Sequence, residues 1–409
     1  MLNWIWAGFF FVAFAAALYQ WLVLGQPGIW AAMVGASFDM AKTGFEVSIG
    51  LTGVMCLWLG IMRTGEKGGA VALLARGFEP LLRRLFPGIP EGHPASASIV
   101  MNMAANMLGL DNAATPLGLK AMKELQQLNP TPETASDDQI LFLVVNASAV
   151  TVIPTAIMTY RAQLGAADPT DVFLPLLIAT FCSTAAGLLV TAWIQRLRLT
   201  QPVTLAYLGG LTLLAAGLLG YCLRLDKATL ERQTSLLANL LIFGLIVGFL
   251  ALAAARRVPL YETFVEGAKE GFSVAIGIIP YLVAMLVAIG VLRASGALDR
   301  ILDFVRFAVA GFGADTRWVD ALPVALMRPL SGSGSRGLMI ETMKTLGADS
   351  FAGRLACVIQ GSTETTFYVL AVYFGSVGIR NARHALLCGL TAEFAGFLGA
   401  VAVSYVFFG

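Results

Sequence analysis

Long stretches without a charged side chain recur from one end of this chain to the other, and no other feature restricts its fold as much. Residues 1–38 hold no Asp, Glu, Lys or Arg, and 4–24 alone are enough to cross a hydrocarbon core of about 30 Å. Residues 47–62, 140–160, 172–195, 199–223, 233–255 and 271–292 are charge-free or nearly so; each predicts a transmembrane helix. Residues 355–379 and 385–409 are as apolar but enclose one carboxylate each, Glu364 and Glu393. An acid inside the bilayer is costly, so both are functional candidates. A cleavable leader competes for the first stretch, because Ala15, Ala16 and Ala17 resemble a cleavage site. No Lys or Arg precedes the apolar run, and a retained span is the better reading.

Composition closes off other classes. Hydrophobic residues make up 57% of the 409 and charged ones 13%, about half the charge of a soluble domain. Lys and Arg exceed Asp and Glu by two, which leaves no basic surface for nucleic acid. Cys56, Cys182, Cys222, Cys357 and Cys388 are dispersed in apolar stretches and read as small buried hydrophobes. His93 and His384 lie far apart in sequence and no cluster of Cys and His forms around either, so neither a metal site nor a cofactor is expected.

Two apolar regions are interrupted. Residues 95–125 break at MLGLDNAATPLG and 321–346 at RPLSGSGSRG. Gly, Pro, Ser and Asn there release backbone groups that a membrane tolerates only where protein or a wet cavity satisfies them, so both read as re-entrant hairpins or broken helices. The chain also repeats itself. GFEVSIGL (44–51) matches GFSVAIGI (271–278) at an offset of 227, AMKEL (121–125) matches TMKTL (342–346) at 221, and VVNASAVT (144–151) matches VIQGSTET (358–365) at 214. The common order with a drifting offset is that of a diverged duplication.

Charge then orients the copies. Residues 63–94 carry Arg63, Lys67, Arg76, Arg83 and Arg84 against Glu66, Glu79 and Glu91, whereas 293–320 carry four Arg against four Asp. A basic first copy and a neutral second favour opposite orientations, with the N-terminus cytoplasmic and the C-terminus outside. About nine transmembrane helices, two re-entrant or broken-helix regions and interfacial amphipathic helices such as 73–85 result, in an all-α polytopic membrane protein of two inverted repeats.

In such folds the substrate site lies near the midplane, where broken helices of the two halves meet. One pair of segments offers Asn102, Asn106, Asp111, Asn112 and Thr115 with Ser331, Ser333, Ser335 and Arg336; the other offers Asn146, Ser148 and Thr151 with Gln360, Ser362, Thr363, Glu364 and Thr365. Amides and hydroxyls both donate and accept, which suits a polar organic solute better than a bare metal. Against this, single hydroxyls in membrane helices commonly bond to the preceding turn, and Asn102 or Asn106 can simply join helices. Arg336 can be paired structurally with Glu364 or Asp111, or serve a solute. Arg328, before Pro329, can snorkel to the surface, and Asp39 and Glu266 read as interfacial charges. No GxxxxGK[ST], GxSxG or HExxH motif is present, and Ser335 has no base nearby in sequence; an enzyme is not expected.

At these residues a resemblance emerges. NMLGLDNAATPLGLKAMKEL (106–125) resembles the signature of spore maturation protein A, while RPLSGSGSRG, QGSTETTFYVLAVYFG (360–375) and YETFVEGAKEGF (261–272) resemble spore maturation protein B. The chain looks like the two fused end to end. The first half spans 1–200, with a Gate repeat at about 38–198; the second spans 201–409, with two linker helices at 201–256 and a Gate repeat at about 264–409. The resemblance implies the nucleoside-recognition, or Gate, domain, shared with nucleoside transporter-like proteins and bacterial ferrous-iron transporters, and a place in the bacterial inner membrane. GSTET is also similar to polar re-entrant segments of concentrative nucleoside transporters. The iron-transporter analogy fails in one respect: no GTPase domain is seen in this sequence. The expected function is transport of a small polar, anionic organic solute by alternating access, with Na+ or H+ as coupling ion through Glu364 or Asp111. The alternative is a membrane scaffold or regulatory protein of envelope or spore maturation. The expected partners are the bilayer, the solute, a coupling ion and, if the chain assembles, a second copy; no nucleic acid is expected.

Overall fold

The structure, a computed structural model, describes residues 2–108, 111–148, 151 and 154–409; the side chains at 2, 111–113, 227 and 228 also lie outside that description. The chain runs through α1 (Leu2–Leu22), α2 (Ile29–Lys67), α3 (Ala70–Leu85), α4 (Pro94–Met107), α5 (Asp111–Gln127), α6 (Asp137–Ala147), α7 (Thr155–Gln163), α8 (Phe173–Gln195) and α9 (Pro202–Cys222). It continues through α10 (Lys227–Ala255), α11 (Leu260–Gly277), α12 (Ile279–Ala294), α13 (Ala297–Gly311), α14 (Leu322–Met327), α15 (Gly332–Leu346), α16 (Phe351–Ser362), α17 (Thr366–Gly375) and α18 (Ala385–Phe408). Local chemistry sets many of the starts. Ser136 and Gln139 close a capping box on α6, Ser331 and Ser350 cap α15 and α16, and Pro94 opens α4.

Among the described residues eight helical segments are long and apolar enough to cross a membrane, with α11 and α12 forming one and α16 and α17 another. These coincide with eight of the nine expected spans. The ninth, 140–160, is not one helix: α6 ends at Ala147 and α7 begins at Thr155, after Pro154. Its repeat counterpart is broken at the same place, where Thr363 and Thr365 take extended backbone between α16 and α17. The sequence read both as continuous because the breaks are short and carry no run of Gly or Pro.

Equivalent helices of the two copies run antiparallel. A Cβ on Gly44 would lie 2.9 Å from Val283, and one on Gly271 would lie 2.7 Å from the backbone of Cys56. Gly44 and Gly271 are equivalent residues at offset 227, as are Cys56 and Val283, so α2 meets α11–α12 about a pseudo-two-fold axis across the helices. Close approach requires glycine at 267 and 271, which face the α2 backbone directly. Helices α8 and α18 repeat the arrangement, Gly187 facing Ala392 and Gly396 facing Ser183. Two membrane-crossing copies related in this way are inverted.

The interrupted regions form helical hairpins. Asn102 Nδ2 donates to the Ala114 carbonyl at 2.7 Å across α4 and α5, and Ser335 Oγ donates to the Val324 carbonyl at 2.9 Å across α14 and α15. Helix α3 is amphipathic, burying Val71, Ala75, Leu81, Leu82 and Leu85. It follows the C-terminal end of α2, where Gly68 packs on Ala253. Its counterpart α13 packs by Leu298 and Leu302 in one apolar cluster with Met33, near the other end of α2.

The connecting loops dock in two equivalent places. At one, Ala135 N donates to the Asn381 carbonyl at 3.0 Å and Arg383 meets Asp137 at 2.8 Å. At the other, fully buried Arg161 meets the Ala348 carbonyl at 2.7 Å, Asp171 at 2.8 Å and Asp349 at 3.0 Å.

Candidate functional site

The breaks of the two copies cross. Glu364 N donates to the Ala147 carbonyl at 2.7 Å, joining the end of α6 to the extended segment after α16. The Thr184 hydroxyl donates to the Ser148 carbonyl, and Phe367 N to the Pro329 carbonyl at 3.2 Å. A chain that leaves helical bonding inside a membrane must find such partners. Here each break finds them on the opposite copy, on α8 or on a hairpin, and a cavity of about 390 Å³ opens beside the crossing.

One wall is an amide cluster. Asn146 Nδ2 donates to Asn102 Oδ1 at 2.5 Å, Asn106 Nδ2 donates to Asn146 Oδ1 at 3.0 Å, and the Tyr373 hydroxyl reaches the same oxygen at 3.4 Å. Asn106, Asn146 and Tyr373 face the cavity, whereas Asn102 is fully buried behind them. The facing wall is charged. Arg328, Arg336 and Glu364 line it, two cations against one anion among the described residues. Arg336 sits over the Tyr160 ring at 5.8 Å, and Arg328 binds the Thr363 carbonyl and approaches the Glu364 carboxylate at 3.7 Å. Gln360 Nε2 donates weakly to the Gly332 carbonyl at 3.4 Å, while its Oε1 is buried and accepts no hydrogen bond.

A floor of different character comes from α7. Its cap residue Pro154 and its first residues, Thr155 and Ala156, line the cavity, and among the described residues no side chain caps that helix. The exposed amide end of a helix favours an anion. The equivalent start of α17 is closed, because Thr366 N and the Thr366 hydroxyl both donate to Glu393 Oε1, at 2.8 and 2.7 Å.

Of the residues singled out from sequence, Asn106, Thr115, Asn146, Thr151, Arg336, Gln360, Thr363 and Glu364 line this cavity. Five do not. Ser148 donates to Val144, Ser335 to Val324 and Ser362 to Ile359; Ser333 is bonded to the Ser331 cap, and Thr365 is buried beside Gly332. The side chains of Asp111 and Asn112 lie outside the described residues. Arg328 does not snorkel: it is 6% exposed and inside the cavity wall. Pro329 follows α14 at that depth, and the Thr363 carbonyl, released from helical bonding by the break after α16, holds the guanidinium inside. Sequence reasoning also missed Tyr160, Tyr368 and Tyr373. The energetic argument applied to Arg336 holds equally for Arg328; the tyrosines carry no signal that separates them from ordinary membrane aromatics.

The chain is 47% identical over 165 residues to spore maturation protein B of Bacillus subtilis (strain 168), covering 40% of this chain and 91% of that protein. It is 40% identical over 155 residues to spore maturation protein A of the same organism, covering 38% of this chain and 79% of that protein. No solved structure matches it. The model of the Gate family, described as nucleoside recognition, matches residues 48–167 and 275–380. The two matches cover over half of the chain, so the chain belongs to the Gate, nucleoside-recognition, family, and with eight helical segments long and apolar enough to cross a membrane among its described residues it is a polytopic helical membrane protein.

Proposed function

We propose that this protein is a secondary transporter that moves a small, polar, anionic organic solute across the bacterial inner membrane by alternating access, coupled to H+ or Na+, with its N-terminus cytoplasmic and its C-terminus outside. The observation that carries the reading is the cavity at the crossing of the two broken spans. There, two guanidinium groups, the first turn of α7 and the Gln360 side chain line one space, and the Gln360 oxygen is unmet inside its wall. A structural core would satisfy that oxygen or replace it by an apolar group, because an unmet buried acceptor costs about 1 to 3 kcal/mol. The net positive wall suits a carboxylate or phosphate, and the amides and tyrosines suit a hydrogen-bonding body. Antiparallel copies about an in-plane axis supply two equivalent halves that can exchange exposure. The orientation rests on the basic connection after α2, the part of the chain that the positive-inside rule places in the cytoplasm.

The test is a ligand-induced thermal-shift screen of the purified protein with nucleosides, dipeptides and small carboxylates, followed by counterflow of the stabilising compound in proteoliposomes. Anionic compounds are expected to stabilise the protein, and Arg336→Gln to abolish the effect. Stabilisation that survives the Arg336→Gln/Gln360→Ala double variant refutes the reading. A second reading, a non-transporting scaffold, is favoured by one observation: both relatives are named for spore maturation. Under it, a Gln360→Ala/Glu364→Gln variant would fold and keep the cellular phenotype; under the transport reading it folds and loses it.

A further inference from the structure

A second cavity, of about 430 Å³, lies on the other side of the extended segment that carries Thr363 and Glu364. Its walls are mainly Leu322, Leu326, Pro329, Leu390, Phe394 and Phe397, and into them is set the carboxylate of Glu393, a residue only 7% exposed. Oxygen Oε1 accepts the two bonds from Thr366, whereas Oε2 is buried and receives none. Arg328 and Thr363 line this cavity and the first one alike. The two spaces are therefore separated by one stretch of extended chain and joined electrostatically by one guanidinium.

The surroundings decide what Oε2 can bind. A sodium ion takes a full shell of oxygens, and this wall offers few beyond Glu393 itself. Among the described residues the Ser362 and Thr363 hydroxyls are the other side-chain oxygens of its lining, too few to complete such a shell, and the guanidinium of Arg328 repels a cation. A proton needs one oxygen and removes the cost of an unmet charge among apolar side chains. The charges around Glu393 are sparse. Arg328 stands at the end of α14, with Glu364 beyond it; α8 and α17 carry none, and those of α6, α10 and α16 (Asp137, Asp138, Lys227, Glu231, Arg232 and Arg354) sit within their first two turns.

We infer that Glu393 is a proton-binding site, and that its protonation is read in the solute cavity through Arg328, which lines the Glu393 cavity on one side and contacts Glu364 on the other. The link to solute movement rests on the transport reading above; the proton site does not. With Oε2 protonated, the Arg328 charge balances Glu364 or a bound anion; with Oε2 ionised, Arg328 is drawn toward Glu393 and the solute cavity loses positive charge.

Infrared difference spectra of the purified protein across a pH series should contain the carbonyl band of a buried carboxylic acid. It is expected to vanish in Glu393→Gln, whose amide oxygen still accepts from Thr366, and to persist in Glu364→Gln. Glu393→Asp is expected to displace it, and serves if the glutamine variant fails to fold. The link is read by maleimide labelling of Tyr368→Cys in a background without native cysteines. The labelling rate should follow the pH dependence of the band, and this component should disappear in Glu393→Gln and Arg328→Gln, leaving only the titration of the thiol. A band that survives Glu393→Gln or fails to move in Glu393→Asp overturns the proton site. A band with no matching change in labelling overturns the link. Neither measurement uses a solute, so absence of counterflow with both results as expected counts against the transport reading alone.

Discussion

The two loop docks are equivalent by pseudo-symmetry but differ sharply in burial, and this sets up a stringent test of the physical account. Arg161 is fully buried and has four partners: the Ala348 and Asp168 carbonyls at 2.7 and 3.1 Å, and the carboxylates of Asp171 and Asp349 at 2.8 and 3.0 Å. Burial pushes the Asp171 carboxyl up, against the opposing pull of Arg161 and Arg354. Replacing Arg161 with Met removes the guanidinium and leaves Asp171 buried beside Arg354 alone, and breaking such a site from one side costs about 3 to 5 kcal/mol. At the other dock Arg383 is 39% exposed and meets Asp137, itself half-exposed, at 2.8 Å, which is a contact worth about 1 kcal/mol or less. Equilibrium unfolding of the detergent-solubilised protein, followed by tryptophan fluorescence, should therefore show a large loss for Arg161→Met and a small one for Arg383→Met. Adding Asp349→Asn to Arg161→Met should recover part of the loss, because the charges that remain, Asp171 and Arg354, pair with each other at 2.7 Å. Equal losses at the two docks, or a loss below about 1 kcal/mol for Arg161→Met, would refute the argument that burial governs the difference.

Asp138, in the first turn of α6 ahead of the apolar run, is pushed up to about 6, chiefly by burial, with the Gly88 amide opposing. A carboxyl raised on folding contributes stability that is full below about pH 4 and is lost as pH rises through about 6. The span amounts to at most about 3 kcal/mol, so Asp138→Asn should flatten the unfolding midpoint across that window and raise it at neutral pH; an unchanged profile contradicts this. A Cβ at Gly271 would meet backbone atoms of Met55 and Cys56 at 2.7 Å, so Gly271→Ala should separate α2 from α11 and cost about 1 to 3 kcal/mol, whereas Gly53→Ala, in open space, should cost little. Cysteines placed at 70 and 310 should label from opposite sides of the membrane, and labelling from one side would end the inverted arrangement.

The architecture was legible where polarity alone decides it. Charge-free runs marked eight of the crossing segments, and the drifting repeat between 44–51 and 271–278 already named residues that face one another's neighbours across the pseudo-two-fold axis. The break between Ala147 and Thr155 was not legible, because Ser148 and Pro154 are tolerated in membrane helices and only the crossing with Glu364 makes the break necessary. Polar residue type likewise nominated the site, but could not separate hydroxyls that cap or back-bond, such as Ser331 and Ser148, from those that face a cavity, such as Thr115 and Thr151. That distinction depends on where each side chain points around its helix, and a single-residue shift in a break changes it.

Symmetry supplies the frame of the site, and departures from it supply the chemistry. Asn146 and Gln360 are equivalent at offset 214, yet the first is engaged by Asn102, Asn106 and Tyr373 while the second keeps its carbonyl oxygen unmet. The helix starts that follow them differ in the same sense: α17 is closed by Glu393, whereas α7 has no side-chain cap among the described residues and begins in the cavity wall. Four residues further on, at the same offset, the sequence has Val150 in the first copy and Glu364 in the second. The first copy thus contributes a satisfied amide wall and the start of α7, and the second contributes the charges. A solute bound between them would contact unlike halves, so exchanging exposure from one half to the other changes the electrostatics it meets. Binding free energy can then differ between the two exposed states, and only such a difference lets a bound solute bias the exchange.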